Sequence, residues 1–158
     1  MRRRGMDAGV LRILDANLNR SREGLRVCED VSRFILNSDA LSKELKALRH
    51  GIASAMKDLP SRPRSLLESR DSEGDVGRSS KLVTEMRRKD PAGIFMANMQ
   101  RVKESLRVLE EFAKLGDRGL AIKFQRLRFR AYDVEKKVVA RLSAMRALRD
   151  PRRRTVAR

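Results

Sequence analysis

The sequence predicts an all-α fold, a four-helix bundle assembled from two duplicated helical hairpins, and three observations lead there. Asn17-Leu18-Asn19-Arg20-Ser21-Arg22-Glu23-Gly24-Leu25-Arg26-Val27-Cys28-Glu29 returns 81 residues later as Asn98-Met99-Gln100-Arg101-Val102-Lys103-Glu104-Ser105-Leu106-Arg107-Val108-Leu109-Glu110. From Ala16/Ala97 to Phe34/Leu115, 8 of 19 pairs are identical, where roughly one would match by average residue usage. Apolar residues recur in steps of three and four, the period of one helix face. The chain is 41% hydrophobic but 4% aromatic and has no Trp, so aliphatic side chains must build the core, which favours helices over a β-sandwich.

The first helix carries Leu11, Leu14, Leu18, Leu25 and Cys28 with Ser21 in phase, and is expected to run to about Leu36. Asn37-Ser38-Asp39 supplies turn and N-cap chemistry. The second helix shows Leu41, Leu45, Leu48, Ile52 and Met56 on one face and stops at Leu59-Pro60. Asp90-Pro91 opens the third, an N-cap followed by proline in the first helical turn. Its stripe is Phe95, Met99, Val102, Leu106, Leu109 and Phe112, with Gly116 expected as the residue after its end. Asp117 caps a fourth helix carrying Leu120, Phe124, Leu127, Tyr132 and Val138, which fades before Asp150-Pro151. Leu45-Lys46-Ala47-Leu48-Arg49 parallels Phe124-Gln125-Arg126-Leu127-Arg128, so the partner helices echo each other too. The expected organisation is a basic arm (1–9), one helical domain (10–148) and a basic tail (149–158). Within the domain, hairpins 10–58 and 91–148 are related by a pseudo-two-fold axis and joined by residues 59–90.

That connection exceeds the 12–15 residues that compact domains usually tolerate without a function. Leu66 and Leu67 offer anchors for a short helical turn, and residues 69–81 are rich in charge and glycine. Gly74 to Lys81 faintly resembles a phosphate loop but lacks the Gly-Lys-Ser/Thr ending at the required spacing.

Composition excludes several classes. Cys28 is the only cysteine, ruling out an intrachain disulfide and a cysteine-rich zinc site and fitting a reducing cytoplasm. No apolar run approaches the roughly 20 residues that span a membrane, and Met1-Arg2-Arg3-Arg4 lacks the apolar segment of a signal peptide. The net charge of +17 draws eight positive charges from the two ends, and such arms bind polyanions through counterion release without reading sequence. The interior is also basic, which suits phosphate ligands equally well.

Packing explains a duplicated Leu or Val; it does not explain a duplicated Asn-x-x-Arg-x-x-Glu. On a wheel of 100° per residue, Ile13, Val27 and Phe34 extend the apolar arc past Asn17 and Arg20, with Glu23 near its edge. Asn98, Arg101 and Glu104 take the same places on the third helix, and steps of three align each trio along one face. A structural alternative stands beside the functional one: buried Arg and Glu pair with each other and Asn caps the network. The functional reading adds Arg26, Arg107 and Arg70 as guanidinium groups suited to bidentate phosphate recognition. Asp71 and Asp75 supply hard oxygen ligands of the kind that hold magnesium together with substrate phosphates. His50, the sole histidine, reads by itself as a satisfied helix residue, and Cys28 as a small buried hydrophobe.

Residues 12–34, with Leu48-Arg49-His50 and Arg70-Asp71-Ser72-Glu73-Gly74-Asp75-Val76-Gly77, resemble a small hydroxymethylpyrimidine-phosphate kinase family. That family occurs alone or fused N-terminal to thiamine-phosphate synthase. The resemblance implies phosphorylation of 4-amino-5-hydroxymethyl-2-methylpyrimidine phosphate to its diphosphate, with ATP as donor, in thiamine biosynthesis. It marks Asn17, Arg20, Glu23, Arg26, Arg49, His50, Arg70, Asp71, Asp75 and Gly77 as matching positions; Arg78 stands where a small hydroxyl residue is expected. Arg20, Glu23, Asp71 and Asp75 are the catalytic candidates, and the last two the Mg2+ ligands. Asn17, Arg26, Arg49, His50, Arg70, Gly77, Asn98, Arg101, Glu104 and Arg107 are the candidates for binding substrate or phosphate. Partners implied are the phosphorylated pyrimidine, ATP and a fused or separate thiamine-phosphate synthase. Two alternatives remain open: a basic bundle binding nucleic acid or another polyanion without catalysis, and a homodimerising structural bundle.

Overall fold

The computed structural model describes residues 7–59, 63–70, 73–74 and 88–149. Among these residues five α-helices follow in order: α1 (Ala8–Asp30), α2 (Asp39–Lys57), α3 (Pro63–Glu68), α4 (Pro91–Ala113) and α5 (Arg118–Arg149), with a π-helical turn, Val31–Ile35, closing α1. The fold is all-α. Among the described residues no helix is long and apolar enough to cross a membrane. Residues 1–6, 60–62, 71–72, 75–87 and 150–158 lie outside the described residues, and with them Asp71, Asp75 and Gly77.

Local chemistry sets the helix starts. Asp7, Ser38, Asp90 and Asp117 each accept a backbone N–H from the first turn that follows, satisfying donors that a helix leaves without intrahelical partners. Between α1 and α2, Asn37 adopts φ 48°, the left-handed conformation that asparagine tolerates better than most residues. Three sequence expectations shift. The end of α1 winds as a π turn, with Leu36 N–H bonding Val31 C=O at 3.1 Å. The wider turn changes the angular register, so Phe34 leaves the buried arc and is 67% exposed. Gly116 does not form a left-handed cap: α4 ends at Ala113 and the chain turns through right-handed geometry, Gly116 N–H bonding Ala113 C=O. On α5 the stripe continues through Ala131, Val134 and Val138, leaving Tyr132 exposed with its phenol accepting from Arg128 Nη1 at 3.1 Å.

The four long helices close a ring, with α1 against α2, α4 against α5, α1 against α4 and α2 against α5. The core is aliphatic apart from Phe95 and Phe124. Leu66 of α3 is buried against the bundle while Leu67 is exposed; α3 packs on α1. The most extensive seam is α1–α4, and Gly24 sets its spacing. A Cβ there would meet the Asn98 backbone oxygen at 3.0 Å and Val102 Cγ2 at 2.9 Å. Alanine is favoured over glycine in a helix interior by about 1 kcal/mol, whereas overpacking a seam that cannot yield costs about 1–3 kcal/mol. Gly24→Ala is therefore expected to lower the urea-denaturation stability despite its better helix propensity; a gain would show that the seam opens freely.

Cys28 lies in the core, its Sγ 3.7 Å from the Phe95 carbonyl. Burial, then the charges of Glu135 and Glu29, push its thiol from 9.0 up to about 12. Between those values the unfolded chain has lost a proton that the native state keeps, so stability falls as pH rises across the window. The slope is at most about 1.4 kcal/mol per pH unit. Wild type and Cys28→Ala should therefore converge in stability between about pH 9 and pH 11; curves that stay parallel would contradict this.

Candidate active site

Helix α1 carries Asn17, Arg20 and Glu23 along one line, and α4 carries Asn98, Arg101 and Glu104 along another. The close approach at Gly24 brings the two lines together, and all six side chains line one open cleft of about 530 Å³. The sequence expectation of an inward arc needs correction. Asn17 is buried, but Arg20, Glu23, Arg101 and Glu104 are exposed at the cleft surface and Asn98 is half-buried. The α1–α4 seam closes beneath them, not over them.

The two asparagines behave alike. Asn17 Nδ2 donates to Ile13 C=O at 2.8 Å, and Asn98 Nδ2 to Ile94 C=O at 2.9 Å. Each bond ties the side-chain nitrogen to the preceding helical turn and leaves the amide oxygen as an acceptor. Glu104 accepts from Gln100 Nε2 at 2.7 Å. Arg20 and Glu23 form no ion pair with each other, and among the described residues Arg20 has no carboxylate partner. The α1 trio thus does not neutralise itself among the described residues, as a purely structural reading would require of it.

A second hollow of about 780 Å³ shares Asn17, Arg20 and Glu23 with the first and continues past Arg12, Asp15, Asn19 and Arg70. Arg70 grips Asp15 with Nε at 2.8 Å and Nη2 at 3.0 Å, a bidentate pair that joins the end of α3 to α1. Hydrogen bonds to Asp15, then its charge, raise the Arg70 pKa further, so the guanidinium stays charged at any working pH. Part of the Arg70 fork is thus already committed to protein.

The remaining arginine candidates lie elsewhere. Glu29, buried, accepts from Arg49 Nε at 2.6 Å and from Arg26 Nη1 at 3.2 Å. Glu110, also buried, accepts from Arg107 Nη1 at 2.9 Å and from Arg128 Nε at 3.0 Å. Each hairpin therefore surrounds one buried carboxylate with two guanidinium groups, one from the same helix and one from its partner. The hydrogen bond to Glu29 raises the Arg49 pKa, against a smaller desolvation effect. Arg26, Arg49 and Arg107 do not line the cleft, and neither does exposed His50, beside Arg49 on α2. Among the described residues no group of three His, Cys, Asp or Glu could hold a metal ion.

Sequence reasoning missed Arg12, Asp15, Asn19 and the buried Glu29 and Glu110. A usable signal existed for Asp15: its repeat partner is Met96, so one copy alone carries a charge there. Glu29 and Glu110 are identical between copies and follow the quoted Arg by three residues, a spacing that pairs side chains on one helix face.

These features define a class, an all-helical protein with an arginine- and asparagine-lined cleft between its two hairpins. The family model described as the ThiD2 family matches residues 12–137, and the chain belongs to that family, the one its motifs resemble. It is 38% identical over 138 residues to the thiamine-phosphate synthase of Rhodopirellula baltica, covering 87% of this chain and 36% of the relative. It is 42% identical over 126 residues to that of Synechocystis sp., covering 80% of this chain and 35% of the relative. The chain spans about a third of the length of these curated relatives. No solved structure gives a significant match.

Removing a buried carboxylate strands the guanidinium groups around it. Glu110→Gln is expected to cost about 3 kcal/mol, because Arg128 is only 12% exposed and loses its charge partner. Arg107→Ala should cost less than about 1 kcal/mol, since Arg107 is half exposed. Urea denaturation of both variants checks the order; equal costs would contradict it.

Proposed function

We propose that the chain is an ATP-dependent kinase of thiamine biosynthesis that converts 4-amino-5-hydroxymethyl-2-methylpyrimidine phosphate to its diphosphate. The observation that carries this reading is the open cleft on which both repeat-related Asn, Arg and Glu trios converge, with Arg20 left without a carboxylate partner among the described residues. Family membership and relatives named thiamine-phosphate synthase support the same pathway.

The chemistry asks little of the protein beyond placement and charge. The acceptor is a phosphate monoester whose second pKa lies near 6, so its nucleophilic oxygen is already ionised at neutral pH. No general base is then required, in keeping with a cleft that contains no histidine or cysteine. Arg20 and Arg101 offset the charge of the approaching phosphates, the main requirement of phosphoryl transfer. The amide oxygens of Asn17 and Asn98 suit the exocyclic amino group of the pyrimidine. Magnesium is usually held by one or two carboxylates plus substrate phosphates; Glu23 fits that role among the described residues, with Asp71 and Asp75 as the further candidates. When bound, the ion would neutralise phosphate charge.

Purified protein incubated with ATP, magnesium and the pyrimidine monophosphate should yield the diphosphate, followed by phosphorus NMR. Arg20→Gln should keep the helical circular-dichroism signal and lower kcat/KM by roughly 100-fold or more, the scale for losing one charge-stabilising donor. Folded wild-type protein that makes no diphosphate, or an Arg20→Gln variant as fast as wild type, would remove this reading.

A further inference from the structure

We propose that the cleft is divided between the two substrates. The nucleotide occupies the side lined by Arg12, Asn19 and Arg70, and the pyrimidine monophosphate the side lined by Asn98 and Arg101. Arg20 and Glu23 form the shared wall across which the phosphoryl group passes. This assignment rests on the kinase reading above.

The two hollows have Asn17, Arg20 and Glu23 in common and differ in everything else. The α1–α4 side is built from both copies of the repeat, each supplying Asn, Arg and Glu. The other side is lined by α1 and by Arg70, just past the end of α3. Where the first copy has Arg12 and Asp15, the second has Gly93 and Met96. Duplication by itself would produce like surfaces on the two sides. The cationic extension is therefore an addition to one side, as a reaction joining two unlike anions requires.

Size and charge assign the occupants. The extension is the larger space, about 780 Å³ against about 530 Å³, and its three arginines outnumber its two carboxylates, whereas the smaller side has two of each. A nucleoside triphosphate is longer and more highly charged than a pyrimidine monophosphate. Asn98, whose nitrogen is tied to Ile94 C=O, lines only the smaller side. Its oxygen is there to accept from an aromatic amino group.

Transfer across the shared wall balances without a proton. The bond between the γ-phosphorus and its bridging oxygen breaks, and the electron pair leaves on ADP. A new bond forms from the acceptor's ionised phosphate oxygen to the same phosphorus.

The test is steady-state kinetics with each substrate varied in turn, on wild type, Arg12→Gln and Asn98→Ala, with circular dichroism confirming the fold. Losing one hydrogen bond to a charged group costs roughly tenfold in affinity. Arg12→Gln should raise KM for ATP by about tenfold and leave KM for the pyrimidine monophosphate unchanged; Asn98→Ala should do the reverse. The opposite pattern, or both constants shifting equally in both variants, overturns the division while leaving the kinase reading intact. Calorimetric titration with ADP separates the two failures. Should wild type bind ADP but turn nothing over, selective loss of ADP binding in Arg12→Gln upholds the nucleotide side, and undiminished binding overturns it.

Discussion

The distance between α1 and α4 is the constraint on which the rest depends. Gly24 lets the α1 backbone approach the Asn98 carbonyl until no Cβ fits without a shift. Ser105, buried and small, stands beside Gly24 in the lining above the same seam. Because polar residues at i and i+3 stack along a helix, one close crossing is enough to bring two linear trios into a single cleft. A wider crossing would leave each trio on its own helix surface. The apolar seam and the polar cleft are thus one geometric decision.

The arginines divide into two populations by the carboxylate they meet. Arg26, Arg49, Arg107 and Arg128 are spent on Glu29 and Glu110, where buried charge demands compensation. Arg20 faces the cleft without such a partner among the described residues. Arg70 stands between the groups, holding Asp15 with one edge of its fork while lining the hollow. The chain is strongly basic overall, but charge count says little about ligand binding until the paired guanidinium groups are set aside.

Much of the fold was legible in sequence because helices report themselves locally. Apolar spacing gave the four long helices, and Ser38, Asp90 and Asp117 gave starts that the structure keeps to within a residue. The π turn was not legible: Val31-Ser32-Arg33-Phe34-Ile35 has ordinary helical spacing and carries no local signal of a wider winding. For the site, the repeat singled out Asn17, Arg20, Glu23 and their partners, since neither copy needs them for packing. It placed them too deep, because a helical wheel gives direction about one axis but not where the neighbouring helix ends. Arg26, Arg49 and Arg107 were grouped with the phosphate candidates because a sequence shows an arginine's charge and hides its partner. Asp15 depends on Arg70, 55 residues away, a pairing no local period encodes.

Glu29 and Glu110 find their counter-charges inside their own hairpin, and Lys103–Glu135 likewise stays within the second, whereas buried Asp15 takes Arg70 from the connection between them. The ion pairs that bridge the hairpins through α2 and α5, Lys123–Asp58 and Lys137–Glu44, are exposed and individually weak. Among the described residues, none of these three buried carboxylates takes its counter-charge from the opposite hairpin. Across the α1–α4 seam the halves meet through nonpolar packing and the Cys28–Phe95 carbonyl contact, with Glu29 and Glu110 compensated on their own sides. The width of the gap whose two walls belong to different halves is accordingly set by the steric fit at Gly24 and not by charge.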